Sequence, residues 1–244
     1  MNDSQPAPNF QPLYRQVKQV LMQRLASHDW KPGDLLPSEP RLAEELGVSP
    51  GTVRKALDEM TAQNLLVRRQ GKGTYVTTHS PDRALFHFFH MVRDDGIREL
   101  PDSTVLFIRP AAANRNERKK LGLPSSSKVI RIKRVRAFDG IPAIYEDIAV
   151  SVKRFAGLDK YPAGDLPNTI YRLYEEEFRV VVTRAEERIR AIAADRTDAK
   201  YLNIPAGSPV LEIDRLAFGH ENDAIEWRVS RCLTTEHYYL SELD

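Results

Sequence analysis

The sequence predicts an α+β protein of two domains: a small three-helix unit closed by a β-hairpin, then a larger domain of antiparallel sheet with helices. Three observations carry this reading. The 244 residues, 41% of them hydrophobic, exceed a typical single-domain length and suffice for two modest cores. Between residues 12 and 76, three helix-period stretches are followed by two short strand-like runs. Residues 121–144 recur, ungapped, 81 positions later: Leu121/Leu202, Pro124/Pro205, Ser127/Ser208, Val129/Val210, Ile132/Ile213, Arg134/Arg215, Ala143/Ala224 and Ile144/Ile225 coincide.

Residues 1–9 (MNDSQPAPN) lack periodicity and large apolar groups, and read as a frayed tail. From Pro12, the residues Leu13, Val17, Val20, Leu21 and Leu25 recur at helical spacing up to the Trp30-Lys31-Pro32-Gly33 turn. Ser38 can cap a short second helix with Leu42, Ala43 and Leu46 inward and Gly47 just past its end. Ser49 can cap a third, with Pro50 at its first position, where a missing N–H costs nothing. Its buried stripe is Val53, Ala56, Leu57 and Met60. Leu65-Leu66-Val67, the turn Gln70-Gly71-Lys72-Gly73 and Thr74-Tyr75-Val76 make a hairpin. Residues 10–77 therefore outline a winged helix-turn-helix. The polar run around Ser80-Pro81 places a linker at 78–84.

Residues 85–244 mix both periods. A Phe-rich run (Leu85–Val92) precedes a strand at Thr104–Arg109, a helix near Asn116–Leu121 and a hairpin turning at Asp139-Gly140. A helix near Asn168–Glu177 and a long strand from Val180 to Ile192 follow. The duplicated stretch reads as a helix feeding a β-hairpin, used twice. Two copies are too few for a solenoid, so the expectation is two halves packed face to face, their hairpins in a shared sheet and a ligand cleft between them.

Composition excludes several classes. No run reaches the roughly 20 apolar residues of a membrane span, and Met1–Gln11 lacks a signal-peptide pattern, so the expected location is the cytoplasm. A single cysteine, Cys232, leaves no internal disulfide and no multi-cysteine metal site. The net charge is only +2, and residues 1–79 carry 10 Lys+Arg against 8 Asp+Glu. Any nucleic-acid argument must rest on where the charges sit.

Their placement favours DNA. With Val53, Ala56 and Leu57 inward, Thr52, Arg54 and Lys55 face out near the start of the third helix, the element that such motifs lay in the major groove. Arg68, Arg69 and Lys72 surround the glycines of the hairpin tip, which allow close approach to the duplex backbone. In the second domain Arg134 and Arg136 share one strand face by period two, with Glu146 on the partner strand. This suits an anion clamp oriented by a carboxylate; it equally suits a solvated sheet face with cross-strand ion pairs. His87 and His90 fall on opposite faces of a strand and lack further metal ligands.

The stretch Pro12–Val76, with LPSEPRLAEELGVSPGTVRKALDEM and LLVRRQGKGTYV, resembles the GntR family of regulators. The resemblance implies DNA contacts from Ser38, Arg41, Ser49, Thr52, Arg54, Gln70, Gly71 and Lys72. Pro40 and Pro50 stand where many members have arginine. The rest of the chain resembles the UTRA effector domain of the HutC-type branch, which has a chorismate-lyase-like fold. The matching residues are Arg134-Val135-Arg136, Gly140-Ile141-Pro142, Tyr145-Glu146 and Asn168-Thr169-Ile170-Tyr171.

That resemblance implies effector contacts from Arg134, Arg136, Thr169, Tyr171, Glu226 and the neighbourhood of Phe89-His90. The implied effector is a sugar phosphate or another organic anion, with no cofactor. The C-terminal run Cys232–Tyr238 departs from the family's usual pattern. The expected protein is a homodimeric repressor that leaves a palindromic operator when it binds effector. The alternative is an enzyme using the same pocket, for which the sequence shows no nucleophile–base pair, metal ligand set or phosphate-cradling loop.

Overall fold

The apolar stripes of the first domain close on one another as their spacing requires. The computed structural model describes residues 11–27, 29–62, 65–77, 89–219 and 222–241. The chain divides into two compact units, Met1–Thr78 and His79–Asp244. The first holds α1 (Leu13–Ala26), α2 (Glu39–Leu46), α3 (Pro50–Ala62) and the hairpin β1 (Leu66–Arg69) and β2 (Gly73–Val76). Val17, Leu21 and Leu25 of α1, Leu42 and Ala43 of α2, and Val53, Ala56, Leu57 and Met60 of α3 share one core with Leu65, Leu66 and Val76. Leu13 and Val20, expected on the inner stripe, stay 51% and 38% exposed because they lie at its end and edge.

The helix ends follow local chemistry. Gly47 closes α2 in the left-handed conformation at φ 64°. The Ser49 hydroxyl accepts the Thr52 amide at 3.2 Å, capping α3 as expected. Ser38 departs from expectation: it stands at the N-cap of α2, but its side chain makes no capping bond. Pro40 occupies the second helical position and has no N–H to offer, which removes one of the two amides a cap would bind.

The second unit contains β3 (Met91–Arg93), β4 (Asp102–Ala112), α4 (Arg115–Leu121), β5 (Lys128–Phe138), β6 (Ile141–Ser151) and α5 (Ile170–Phe178). It continues with β7 (Arg184–Ala193), α6 (Arg196–Leu202), β8 (Pro209–Phe218), β9 (Ala224–Cys232) and β10 (His237–Tyr239). Six strands form one antiparallel sheet in the order β4-β5-β6-β9-β8-β7, and β3 with β10 forms a separate ribbon. The β5–β6 hairpin turns at Asp139 and Gly140, both at positive φ, as a two-residue turn demands. The strand expected from Val180 begins only at Arg184. Val182 is buried in the core, and the segment meets β8 only from Thr183, whose amide donates to the Phe218 carbonyl at 2.9 Å and whose hydroxyl donates to the Gly219 carbonyl at 3.0 Å. The expected tail at 1–9, the linker at 78–84 and Leu85–Phe88 lie outside the described residues.

The 81-residue repeat is structural. β4-α4-β5-β6 and β7-α6-β8-β9 are one unit used twice. Asn114 with Glu117, and Asp195 with Asp198, form equivalent capping boxes on α4 and α6. Gly122 and Asn203 end those helices in the same left-handed conformation. At the centre Asp147 pairs with Val229 and Ile148 with Arg228, pairs that the 81-residue offset interchanges. A local two-fold axis therefore passes between them. The halves share one sheet, but they stand side by side and not face to face, because β6 and β9 satisfy each other's backbone.

One face of the sheet carries α4 against β9 and α6 against β6. The other is covered in part by α5, Phe155, Leu158, Leu166 and Val182 over Ile130, Ile132, Ile148, Val150, Ala217 and Ile225. Among the described residues no helix is long and apolar enough to cross a membrane. If the two capping boxes are equivalent, Asn114→Ala and Asp195→Ala each lower the unfolding free energy by about 1 kcal/mol. Urea denaturation followed by circular dichroism checks this, and a loss at only one of the two breaks the equivalence.

Candidate functional sites

In the first unit, burial of Val53, Ala56 and Leu57 leaves Arg54 and Lys55 exposed and Thr52 half-buried on the outer face of α3. Neither cation hangs free. The Arg54 Nε donates to Glu39 on α2 at 2.8 Å, and Glu39 also accepts Arg68 of β1 at 3.1 Å. The Lys55 ammonium stands 4.2 Å from the centre of the Tyr14 ring. Ser38 and Arg41 are exposed at the start of α2, and Ser49 is exposed at the start of α3.

Gln70, Gly71 and Lys72 form the hairpin tip, with Gly71 at φ 69° and the Lys72 amide bonded to the Arg69 carbonyl at 2.9 Å. Arg69 packs its guanidinium on the Tyr75 ring at 4.6 Å. Among the described residues Arg41 and Lys72 make no ion pair. The unit thus presents the start of α2, the start of α3 and the hairpin tip as polar and basic ends carried on one rigid core.

In the second unit, alternation on the sheet face opposite α4 and α6 directs Arg134 and Arg136 from β5, Glu146 from β6, Glu226, Arg228 and Ser230 from β9, and Arg215 from β8 to the same side. A pocket of about 670 Å³, mouth included, opens there. Phe89, His90, Met91, Arg134, Arg136, Glu146, Thr169, Tyr171, Arg215, Arg228, Ser230, Cys232 and Tyr239 line it, with Leu100, Ile144, Asn168, Ile170, Arg172 and Ile213.

The pocket floor is a chain of ion pairs. Arg134 is directly opposite Glu146 and donates to it through Nε. Glu146 also accepts Ser230 at 3.1 Å and lies 3.4 Å from Arg228. Burial pushes the Glu146 carboxyl up, but Arg134, Arg228 and Arg136 pull harder, so it is held well below the usual carboxylate range. Arg215 donates to Glu187 of β7 at 2.5 Å.

Arg136 differs from these. It is 4% exposed and, among the described residues, forms no ion pair. One of its amino groups donates to the Asn168 side-chain carbonyl at 3.0 Å, its guanidinium lies 4.7 Å from the Phe89 ring centre, and its Nε has no partner. Burial, reinforced by the neighbouring Arg134, pushes it below the ordinary arginine range. Arg134 also donates to the Asn168 backbone carbonyl at 3.1 Å, so the two arginines hold the residue that leads into α5. Thr169 is the N-cap of α5 without a side-chain capping bond, and its carbonyl accepts the Arg172 amide at 3.1 Å, so the positive end of the helix dipole lies at the pocket wall.

The sequence-derived set is mostly brought together, with one correction. Glu226 was expected to touch an effector; it is fully buried behind the lining. Its carboxylate accepts Tyr171 at 3.1 Å, Tyr174 at 2.8 Å and Arg228 at 2.9 Å, so it orients the wall and does not face the cavity. Burial, helped by Glu226, pushes the Tyr171 hydroxyl up to about 12. Sequence reasoning missed Arg215, Arg228, Ser230 and Tyr239. The duplication signalled the first, since Arg134 and Arg215 are equivalent, and period two from Glu226 signalled the next two.

A helix-turn-helix with a basic hairpin tip, joined in one chain to a sheet domain with a cationic pocket, defines the class of DNA-binding transcriptional regulators with an effector domain. The chain belongs to the GntR family of bacterial regulatory proteins: residues 13–76 match that family's model, and residues 98–238 match the UTRA domain. It is 30% identical over 219 residues to a probable fructoselysine utilization operon transcriptional repressor of Escherichia coli (strain K12), covering 88% of this chain and 87% of the relative. It is 31% identical over 205 residues to the histidine utilization repressor of Pseudomonas putida, covering 84% and 81%. The ligand-binding domain of a candidate GntR-family regulator from Bordetella bronchiseptica superposes with a TM-score of 0.58 at 27% identity, over 64% of this chain and 96% of that one. The family and these relatives are regulators and not enzymes.

The ion-pair floor has a measurable cost when broken. Glu146→Gln strands a buried Arg134 and lowers stability by about 3–5 kcal/mol at pH 7 in urea denaturation. Because the folded carboxyl is held below its ordinary value of 4.5, its contribution is complete above that pH and shrinks as pH falls below it. The gap between native and variant protein therefore narrows in acid; a gap that widens contradicts the assignment.

Proposed function

We propose that this regulator is a homodimeric repressor that leaves its operator when an organic anion enters the sheet-face pocket. The observation that carries the reading is Arg136: a guanidinium 4% exposed, with no ion-pair partner among the described residues, at the wall of a cavity. A buried unpaired charge is costly, and an anion placed against it offsets that cost, so the site favours its ligand-bound form. Arg134, Thr169 and the positive end of the α5 dipole complete the clamp. Tyr171 and Glu146 shape it, Phe89 and His90 bound its mouth, and Glu226 supports it from behind.

On the DNA side, the start of α3 (Ser49, Thr52, Arg54 and Lys55) reads base edges in the major groove, while Ser38 and Arg41 of α2 take phosphate. Arg69, Gln70, Gly71 and Lys72 form a wing against the backbone or minor groove. Two such units on a two-fold axis match a palindromic operator. The relatives named as repressors support the sign of regulation. The effector acts by binding better to the conformation that misses the operator.

An operator recovered from a random pool of DNA duplexes tests both halves. Arg54→Ala and Lys72→Ala weaken binding to it about tenfold in a mobility shift, and Lys72→Ala lowers the slope of log affinity against log salt by about 1. Arg136→Gln keeps operator affinity but is no longer released by the anions that release the native protein. Unchanged shifts for both DNA-face variants, or normal release of Arg136→Gln, contradict the reading.

A further inference from the structure

The hairpin tip of the first unit lies beyond the reach of its core. On β1 burial ends at Leu66, and Val67, Arg68 and Arg69 are exposed; on β2 Val76 is buried, Thr74 and Tyr75 are half-buried and Gly73 is exposed. β2 is held along its outer edge, where the Leu36 amide donates to the Thr74 carbonyl at 2.8 Å and the Val76 amide to the Asp34 carbonyl at 2.9 Å. β1 pairs with β2 and, among the described residues, with no strand on its other side. A two-stranded hairpin is marginal by itself in water, so the strand leading into residues 70–72 depends on its side chains for a fixed direction.

Arg68 supplies that direction. One of its terminal amino groups donates to Glu39 Oε1 at 3.1 Å, and the other lies 2.6 Å from Asp58 Oδ1. Glu39 opens α2 and Asp58 sits on α3, one turn beyond Arg54, so a single guanidinium ties the wing strand to both helices of the motif. The second oxygen of Glu39 takes the Arg54 Nε at 2.8 Å. Arg69, the next residue along β1, packs instead on the Tyr75 ring.

An isolated exposed ion pair contributes little, but a planar fork holding two carboxylates within a chain of four charges is the arrangement in which such pairs count. That chain, Arg54, Glu39, Arg68 and Asp58, sums to zero charge, so as a group it adds nothing to the pull on phosphate. Two carboxylates beside a DNA-binding face repel the duplex, and geometry is what they give in return. We infer that Arg68 is a positioning residue: it touches no DNA, and its bridge to Glu39 and Asp58 sets the angle at which the wing tip meets the duplex. This rests on the reading of residues 69–72 as the DNA-contacting wing and gives that wing its brace.

The test is a double-mutant cycle on the full-length protein, binding the operator recovered from the random pool in a mobility shift. Arg68→Gln weakens binding about fivefold or more, and Lys72→Ala, which costs about tenfold in the native protein, costs less than about threefold once Arg68 is gone. Asp58→Ala gives the sign. It removes a negative charge from the DNA side, favours the helix it sits on and leaves Arg68 its own charge. A brace predicts that Asp58→Ala binds the operator about threefold or more weakly, whereas an Arg68 that contacts phosphate directly predicts tighter binding. Native affinity in Arg68→Gln, independent losses for Arg68 and Lys72, or unchanged or tighter binding by Asp58→Ala overturns the inference and leaves the wing reading standing. Native affinity in Lys72→Ala overturns both.

Discussion

The antiparallel pairing of β6 with β9 about a local two-fold axis is the constraint on which the effector domain depends. The other four strands of the main sheet are placed by it: β5 and β4 extend one side, β8 and β7 the other, and α4 and α6 each cross to pack on the opposite half's central strand. Because side chains alternate, that single register also decides which residues share the pocket face. Glu146 and Ser230, or Ile148 and Arg228, are neighbours for no reason other than this pairing. A slip of one residue would turn the arginines to the helix face and dismantle the site.

The site arises where the duplication is broken. Arg134 and Arg215 are equivalent and both keep a carboxylate partner, Glu146 and Glu187. Arg136 corresponds to Ala217, Asp147 to Arg228 and Tyr145 to Glu226. A symmetric sheet would have had two equivalent shallow faces. Substituting one half gives a pocket with a paired floor and one cation, Arg136, that has no ion-pair partner among the described residues, beside the start of α5, which the repeat does not contain. The rigid part of the domain is the repeat, and the chemistry lies in its departures.

Much of this was legible in the sequence, for physical reasons that also mark where legibility stopped. The stripes Val17-Leu21-Leu25 and Val53-Ala56-Leu57-Met60 are local signals, since helical neighbours are close in sequence, and they located the DNA-facing unit and its outward face. The 81-residue offset revealed the doubled hairpin, and period two placed Arg134 and Arg136 together. What remained hidden depends on distant pairing. The short strands β3 and β10 meet only because the chain returns after more than 140 residues. The side-by-side halves follow from an inter-half ladder that no window can show. Glu226 sits behind the wall because Tyr171 and Tyr174 cover it, and Ser38 fails as a cap because Pro40 is next in line.

The central claim is that occupancy of the Arg136 pocket and occupancy of the operator oppose each other. Linkage makes this measurable in two directions that must agree. Titrating the tightest-binding anion into free protein and into the protein–operator complex gives one affinity ratio; titrating operator with and without saturating anion gives the other. The account predicts equal ratios of about 5–150-fold, each weakening on the addition of the other ligand, and a ratio near one for Arg136→Gln. An anion that binds free and operator-bound protein equally well contradicts it.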